Sequence, residues 1–491
     1  MAILMVVNNP RDWPLHVPGV EVVAARDYLT RPDFAALRGA RVFNCCRSYR
    51  YQSVGYYVSL LAAARGHKPI PNLATIQDMK SPSIVRLTSE EMDELIQKSL
   101  ADIKSPTFPL SIYFGRNLAR KHDRLAGQLF QMFHAPFLRA HFEHDDQHGW
   151  SLQRVGPISE REIPDSHHPF VLEVATEFFA HRRFSVRRRE VSRYDLAILY
   201  DPKNASTASD ETAVKRFVRA ADSLGIEAET ITRDEFSSVG EYDALFIRDT
   251  TNVNHYTYRF AQRAQAEGLV VIDDPESILK CTNKVYLAEI LNRHNILAPK
   301  TLIVHKDNVD QIVPQLGLPC ILKAPDSSFS AGVKKANTTE EAIALADAML
   351  DKSDLVLAQA FVPTDFDWRI GILDRRPLYA CKYFMARQHW QIINHDTEPG
   401  KERHGRWETL PIELAPAAVV RSALKAANLI GDGLYGVDLK QIGKEVYVIE
   451  INDNPSIDSG VEDQVLKNEL YRRVLEVFLQ RLERRRQGLR T

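Results

Sequence analysis

The spacing of apolar positions changes character twice along the chain, giving three blocks. Up to about residue 190, residues 3–7, 20–24 and 40–45 read as short strands, because runs of four to six apolar positions suit a strand better than a helix. Residues 56–64 read as a helix stopped by Gly66. Residues 90–101 read as a second helix with Ser89 as its N-cap, and 115–133 as a third. Prolines recur from Arg154 to Pro169 while periodicity fades, which predicts a loop. The arginine-rich run 182–189 reads as a solvated hinge, or as a patch for an acidic substrate.

From about 193 to 275 strands and helices alternate. Residues 196–200, 244–247 and 269–272 are apolar strands, and 213–224 and 256–267 are helices ending at Gly225 and Gly268. Such alternation builds a small parallel sheet. No GxGxxG follows the first strand, so a dinucleotide site gains no support. From about 276 the pattern is denser. Helices are expected at 284–294, 338–350, 415–430 and 465–482. Strands are expected at 301–304, 320–323, 355–360, 368–373, 378–383 and 390–393. A hairpin of 434–441 and 446–451 turns around Gly443. The expected division is 1–190, 191–275 and 276–491, with α/β and α+β character and no internal repeat.

Composition narrows the classes. A chain of 491 residues, 44% hydrophobic, exceeds one core. With 63 basic and 64 acidic residues, its net charge of −1 makes no global case for nucleic acid or a membrane surface. Cys45 and Cys46 are adjacent and the other three cysteines are scattered, giving neither a disulfide framework nor a zinc pattern. A reducing, cytoplasmic compartment is expected. The opening MAILMVVNNP has no basic residue before its apolar run and reads as an edge or first strand, not a signal peptide. No apolar run approaches the roughly 20 residues of a membrane helix.

Candidate chemistry concentrates in the last third. Asp438 lies inside one strand of the hairpin. Glu450 and Asn452 lie on the next, two apart and so on one face. Three hard oxygen donors on paired strands suit Mg²⁺, and the apolar neighbours argue against a solvated sheet edge. Glu450→Ala is expected to abolish turnover while sparing the fold. Lys284 opens a helix after Asp273-Asp274-Pro275, and Lys323 ends an apolar strand, where an ammonium suits phosphates. The stretch 325–333 holds Ser327, Ser328, Ser330 and Gly332, small residues that let backbone N–H groups approach phosphate oxygens. Strand 355–360, with Gln359, runs into Phe361 and Val362, whose backbone could meet an adenine edge. Asp365 and Asp367 follow. Arg369 could clamp a transferring phosphoryl group, or pair with Asp367.

Two clusters nearer the start have blander readings. Residues 44–53 are dense in polar and aromatic groups and read as a binding surface, with Cys45 a buried structural cysteine. Residues 141–148 have metal-ligand residue types without supporting spacing, and read as a solvated loop.

Taken in order, Lys284, Lys323, the small-residue loop, Gln359 to Val362, Asp367-x-Arg369, Asp438 and Glu450-x-Asn452 resemble the ATP-grasp superfamily. The tail GVDLKQ…VIEINDNPS looks most similar to the branch of ribosomal protein S6 glutamate ligases, the RimK-like branch. The resemblance covers about 276–484. The 193–275 block is similar to the domain that precedes the grasp, and the first block resembles an N-terminal domain found ahead of some grasp modules. The resemblance implies two α+β lobes holding ATP. Lys284 and Lys323 would bind its phosphates and 327–332 would lie over them. Gln359, Phe361 and Val362 would line the adenine pocket, with Asp365 at the ribose. Asp438, Glu450 and Asn452 would hold Mg²⁺, with Mn²⁺ as an alternative. Arg369 would stabilise the transferred phosphoryl, and Arg387 would meet the acyl phosphate or substrate carboxylate.

The implied reaction makes an acyl phosphate and ADP, then an amide or peptide bond. The implied partners are a small-molecule carboxylate and an amine, peptide or protein acceptor, with a homo-oligomer left open. The rival reading is a nucleotide-binding module without turnover. Two positions depart from the family pattern: Gly332 is the single glycine of the phosphate loop, and Ala360 stands where a glutamate is common.

Overall fold

A computed structural model describes residues 2–487 apart from 14–15, 38, 146–148, 182–192, 205–206, 327–331, 387–389 and 393–404. The chain forms two units, Met1–Arg188 with Phe236–Glu241, and Arg189–Glu235 with Tyr242–Thr491.

The first unit opens with a parallel sheet of β1 (Ile3–Val7), β2 (Glu21–Ala24), β3 (Arg41–Asn44) and β4 (Lys68–Ile70), in the order β2-β1-β3-β4. All five residues of β1 are buried. The first strand is therefore an interior strand and not an edge. The helix Val54–Ala64 starts where the Ser53 hydroxyl accepts from the Tyr56 N–H. A second sheet is antiparallel: β5 (Thr107–Tyr113), β6 (Phe137–Asp145) and β7 (Gly149–Pro157).

Several expectations fail here for local reasons. Residues 90–101 are not one helix. Pro82–Glu91 and Asp93–Leu100 are separate, broken at Met92. The cap is Ser81, and the Ser89 hydroxyl instead accepts from the Leu152 N–H at 2.8 Å. The third helix is shorter, Asp123–Met132, because Gly115 has φ +81° and keeps the preceding segment out of the helix. The expected loop from Arg154 is strand as far as Pro157, and His168–His181 is a helix. His141 to Asp145 are strand, not loop: Leu138, Ala140 and Phe142 point inward, alternating with the polar groups.

The second unit carries β8 (Tyr194–Leu199), β9 (Ile226–Ile231), β10 (Ala244–Ile247) and β11 (Val270–Ile272), a parallel sheet in the order β11-β10-β8-β9. Strand β9 escapes an apolar-run reading because it is an edge with polar interior positions. The C-terminal helix Asn468–Arg486 covers this sheet, with Tyr471 and Phe478 against Phe217 and Phe246.

Next comes an antiparallel sheet of β12 (Thr301–Val304), β13 (Cys320–Lys323), β14 (Val333–Ala336) and β15 (Val356–Ala360), ordered β12-β15-β13-β14. The helix Thr339–Leu350 shares its core. The last sheet holds β16 (Phe366–Leu373), β17 (Arg376–Phe384), β18 (Trp407–Leu410), β19 (Leu434–Ile442) and β20 (Glu445–Asn452), ordered β18-β17-β16-β19-β20 and antiparallel. Gly443 turns the β19–β20 hairpin at φ +60°, a conformation that favours glycine. Trp390 to Ile392 form bends, not the expected strand. No helix among the described residues is long and apolar enough to cross a membrane.

Candidate active site

The register of the last sheet lines up Cys381, Arg369, Asp438 and Glu450 across β17, β16, β19 and β20. Side chains alternate along a strand, so Asp367 and Lys440 share the face that carries Arg369 and Asp438. Asn452 lies opposite Gly436. A Cβ there would meet Pro455 at 2.7 Å, so only glycine fits that strand position.

These groups are tightly paired. Arg369 grips Asp438 with both prongs, Nε to Oδ1 at 2.7 Å and the Nη2 nitrogen to Oδ2 at 2.8 Å, a bidentate arrangement that fixes the fork. Asn452 donates to Asp438 Oδ2 at 3.2 Å and to the Gly436 carbonyl at 3.3 Å. Lys284 is buried at the start of its helix, with Nζ 2.9 Å from Glu450 Oε1. Its own N–H donates to the Pro325 carbonyl at 2.8 Å, tying the helix start to the segment after β13. Asp367 does not pair with Arg369. It pairs with Lys440 at 2.5 Å, and Thr364 completes the group.

Lys323 differs from the rest. It is 9% exposed, and its side chain has no hydrogen bond or ion pair among the described residues, while its backbone sits in the β13 ladder. Burial pushes its ammonium down to about 8, with Glu450 pulling it up and Lys284 and Lys440 pushing it further down. Burial alone would raise the Glu450 carboxyl, but Lys284 and Lys323 outweigh it and hold the group below its ordinary value. Asp367 is raised by burial despite Lys440. Among the described residues, Lys284, Lys323, Lys440 and Arg369 thus face Asp367, Asp438 and Glu450, leaving one positive charge in excess. A buried cation without a partner is costly, and an anion with several oxygens relieves that cost.

The remaining candidates are less gathered. Gln359 is buried on β15 and donates to Thr301 Oγ1 at 2.9 Å. Phe361 lies under the Lys335 ammonium, 4.1 Å from the ring centre, and beside Trp390. Val362 is half-buried. Asp365 is exposed, and its backbone carbonyl accepts from the Met385 N–H at 3.1 Å. The Gly332 carbonyl accepts from Ala324 N–H at 3.0 Å. Ser327, Ser328, Ser330 and Arg387 lie outside the described residues.

Among the described residues no group of three or more His, Cys, Asp and Glu is placed to hold a metal. The candidate set is two carboxylates and one amide. That fits Mg²⁺, which takes a few protein oxygens and completes its shell with water and phosphate. Sequence reasoning missed Lys440, although it follows Asp438 by two in the same strand and so shares its face. In the first unit, residues 44–53 divide between buried or half-buried positions and the exposed Arg50, Tyr51 and Gln52. Asn44 is buried and donates to the Gly55 carbonyl and Ser59 Oγ, and Cys45, Cys46 and Tyr49 are buried too.

Residues 25–174 match the family model of the RimK-like ATP-grasp N-terminal domain. A probable alpha-L-glutamate ligase of Vibrio vulnificus is 23% identical over 232 residues, 46% of this chain and 73% of that protein. The stretch 25–174 is thus similar to the N-terminal domain of RimK-like ATP-grasp proteins. A second probable alpha-L-glutamate ligase, from Psychromonas ingrahamii, is 25% identical over 229 residues, 46% of this chain and 73% of the relative. Among solved structures, the D-alanine–D-alanine ligase of Bacillus anthracis covers 60% of this chain and 99% of its own, at 16% identity and a TM-score of 0.47.

Proposed function

We propose that this chain is an ATP-dependent, ADP-forming carboxylate–amine ligase. The observation that carries this reading is the buried cation excess around Lys323, whose side chain has no partner among the described residues, set against the Asp438–Glu450–Asn452 row. Such a site receives a polyphosphate and holds it beside acidic oxygens. Its relatives' names, glutamate ligases, support an amino acid as one substrate, with an amine, peptide or protein terminus as the other.

Each residue then has a physical task. Lys284 and Lys323 hold phosphate oxygens, and residues 327–332 cover them. Gln359, Phe361 and Val362 flank the base, and Asp365 the ribose. Arg369, fixed by Asp438, steadies the phosphoryl group in transit. Arg387 holds the carboxylate that receives it. Asp438, Glu450 and Asn452 would hold Mg²⁺, which neutralises phosphate charge when bound. Catalysis is chiefly positioning and charge stabilisation. The proposed division is 1–190, 191–275 and 276–491, with the first part reading the acceptor. Five buried cysteines outside any disulfide support a reducing, cytoplasmic setting.

Calorimetry of the full chain with the ATP analogue AMP-PNP and Mg²⁺ tests the nucleotide half of this reading. Binding is expected, and Lys323→Met should weaken it by roughly tenfold or more, the loss of one charge-assisted contact. Equal affinity in the variant would contradict the role given to Lys323.

A further inference from the structure

Behind the Arg369–Asp438 pair lies a second layer with no part in the tasks above. The Arg369 guanidinium carbon sits 5.2 Å from the centre of the Tyr383 ring. Tyr383 is on β17, opposite Asp367 on β16, so its ring lies along the same face as Arg369. Its hydroxyl donates to Glu462 Oε1. Glu462 is 1% exposed, and its other oxygen accepts from the Asp458 N–H at 2.8 Å. The segment carrying Glu462 is itself pinned to the sheet, because Thr409 Oγ1 donates to the Val461 carbonyl at 2.7 Å. A carboxyl so deeply buried is costly to keep, and burial pushes Glu462 up to about 7.

We infer that Tyr383 and Glu462 are positioning residues for Arg369. Glu462 anchors the Tyr383 hydroxyl, and the Tyr383 ring backs the flat face of the guanidinium. Asp438 takes one edge of the fork, so the remaining N–H groups point in one direction. A planar cation held on its face and on one edge has lost its rotational freedom before a phosphoryl group arrives, and that order need not be imposed during the reaction. The inference rests on the ligase reading, in which Arg369 meets the γ-phosphoryl. It adds that the orientation of Arg369 is set by a tyrosine and a glutamate that touch no substrate.

The test compares AMP-PNP with ADP on the full chain, each with Mg²⁺, by calorimetry. Only AMP-PNP carries the γ-position. Tyr383→Phe keeps the ring and loses the anchor. It should reduce the preference for AMP-PNP about threefold, and Tyr383→Leu, which also loses the ring face, about tenfold, while ADP affinity holds within about twofold. Glu462→Ala should behave like Tyr383→Phe, and Glu462→Gln, which keeps an acceptor oxygen, should lose less than Glu462→Ala. A merely structural role would weaken both nucleotides together. Unaltered preference in Tyr383→Leu and Glu462→Ala, with both nucleotides still bound, overturns this inference alone. Failure of the wild-type chain to bind either nucleotide overturns the ligase reading and the inference with it.

Discussion

Glu450→Gln removes the counter-charge from a buried lysine while keeping shape and volume. The Lys284–Glu450 pair is 2.9 Å apart, which at an effective dielectric of about 20 gives about 6 kcal/mol of attraction. Lys284 is 8% exposed and Glu450 31% exposed, so water screens part of that. A loss of about 2–4 kcal/mol is expected, at and just below the usual cost of breaking a buried pair. Lys323, which Glu450 also steadies, adds to the effect. The expectation from sequence that removing Glu450 spares the fold is therefore revised: the same carboxylate balances buried lysines.

Differential scanning calorimetry of the nucleotide-free variant should show melting roughly 4–16 °C lower, at 2–4 °C per kcal/mol for a unit this large. Saturating AMP-PNP should recover much of the deficit, because phosphate oxygens replace the missing charge. An unchanged melting temperature without nucleotide would refute the charge accounting. A deficit that AMP-PNP leaves untouched would refute the idea that these lysines face phosphate.

Two further outcomes follow from the same geometry, and a third from the role proposed for Arg387. Lys323 has its ammonium pushed down to about 8. It is charged below that pH and neutral above it, so AMP-PNP affinity should fall as pH rises through about 8. Binding near pH 8 should also take up a proton, visible as a buffer-dependent calorimetric enthalpy, and a buffer-independent enthalpy would contradict this. Arg369→Lys cannot make the two-pronged contact with Asp438 and should lower kcat by about tenfold or more with little change in ATP KM; a change confined to KM would refute its role in phosphoryl transfer. Arg387→Lys should lower kcat/KM for the carboxylate substrate by about tenfold, roughly 1.4 kcal/mol, with ATP affinity constant, whereas a lower melting temperature with normal kinetics would make it structural.

Much of the grasp region was legible because its signals are local. Apolar segments gave β16, the turn at Gly443 gave the β19–β20 hairpin, and the two-residue spacing of Glu450 and Asn452 gave their shared face. Strands β12 and β13 were apolar enough to bound at their observed ends. What escaped depends on pairing between strands. The partner of Asp367 could not be read from Asp367-x-Arg369, since Lys440 reaches it from the neighbouring strand. Glu462 reaches Tyr383 from a segment 79 residues on. In the first unit, β6 was hidden by its outward His and Glu residues, which looked like ligands or loop and are the polar half of an ordinary alternating strand. Ser89 looked like a cap because serine before acidic residues often is one, but a buried backbone N–H of β7 claims it.

The central claim is that the chain couples ATP cleavage to amide formation. The most direct measurement is mass spectrometry of reactions containing the full chain, ATP, Mg²⁺ and a panel of amino acids and peptides. The account predicts ADP and phosphate in equal amounts, with a product whose mass is the sum of carboxylate and amine less one water. AMP and pyrophosphate, or no nucleotide cleavage with any member of the panel, would contradict it.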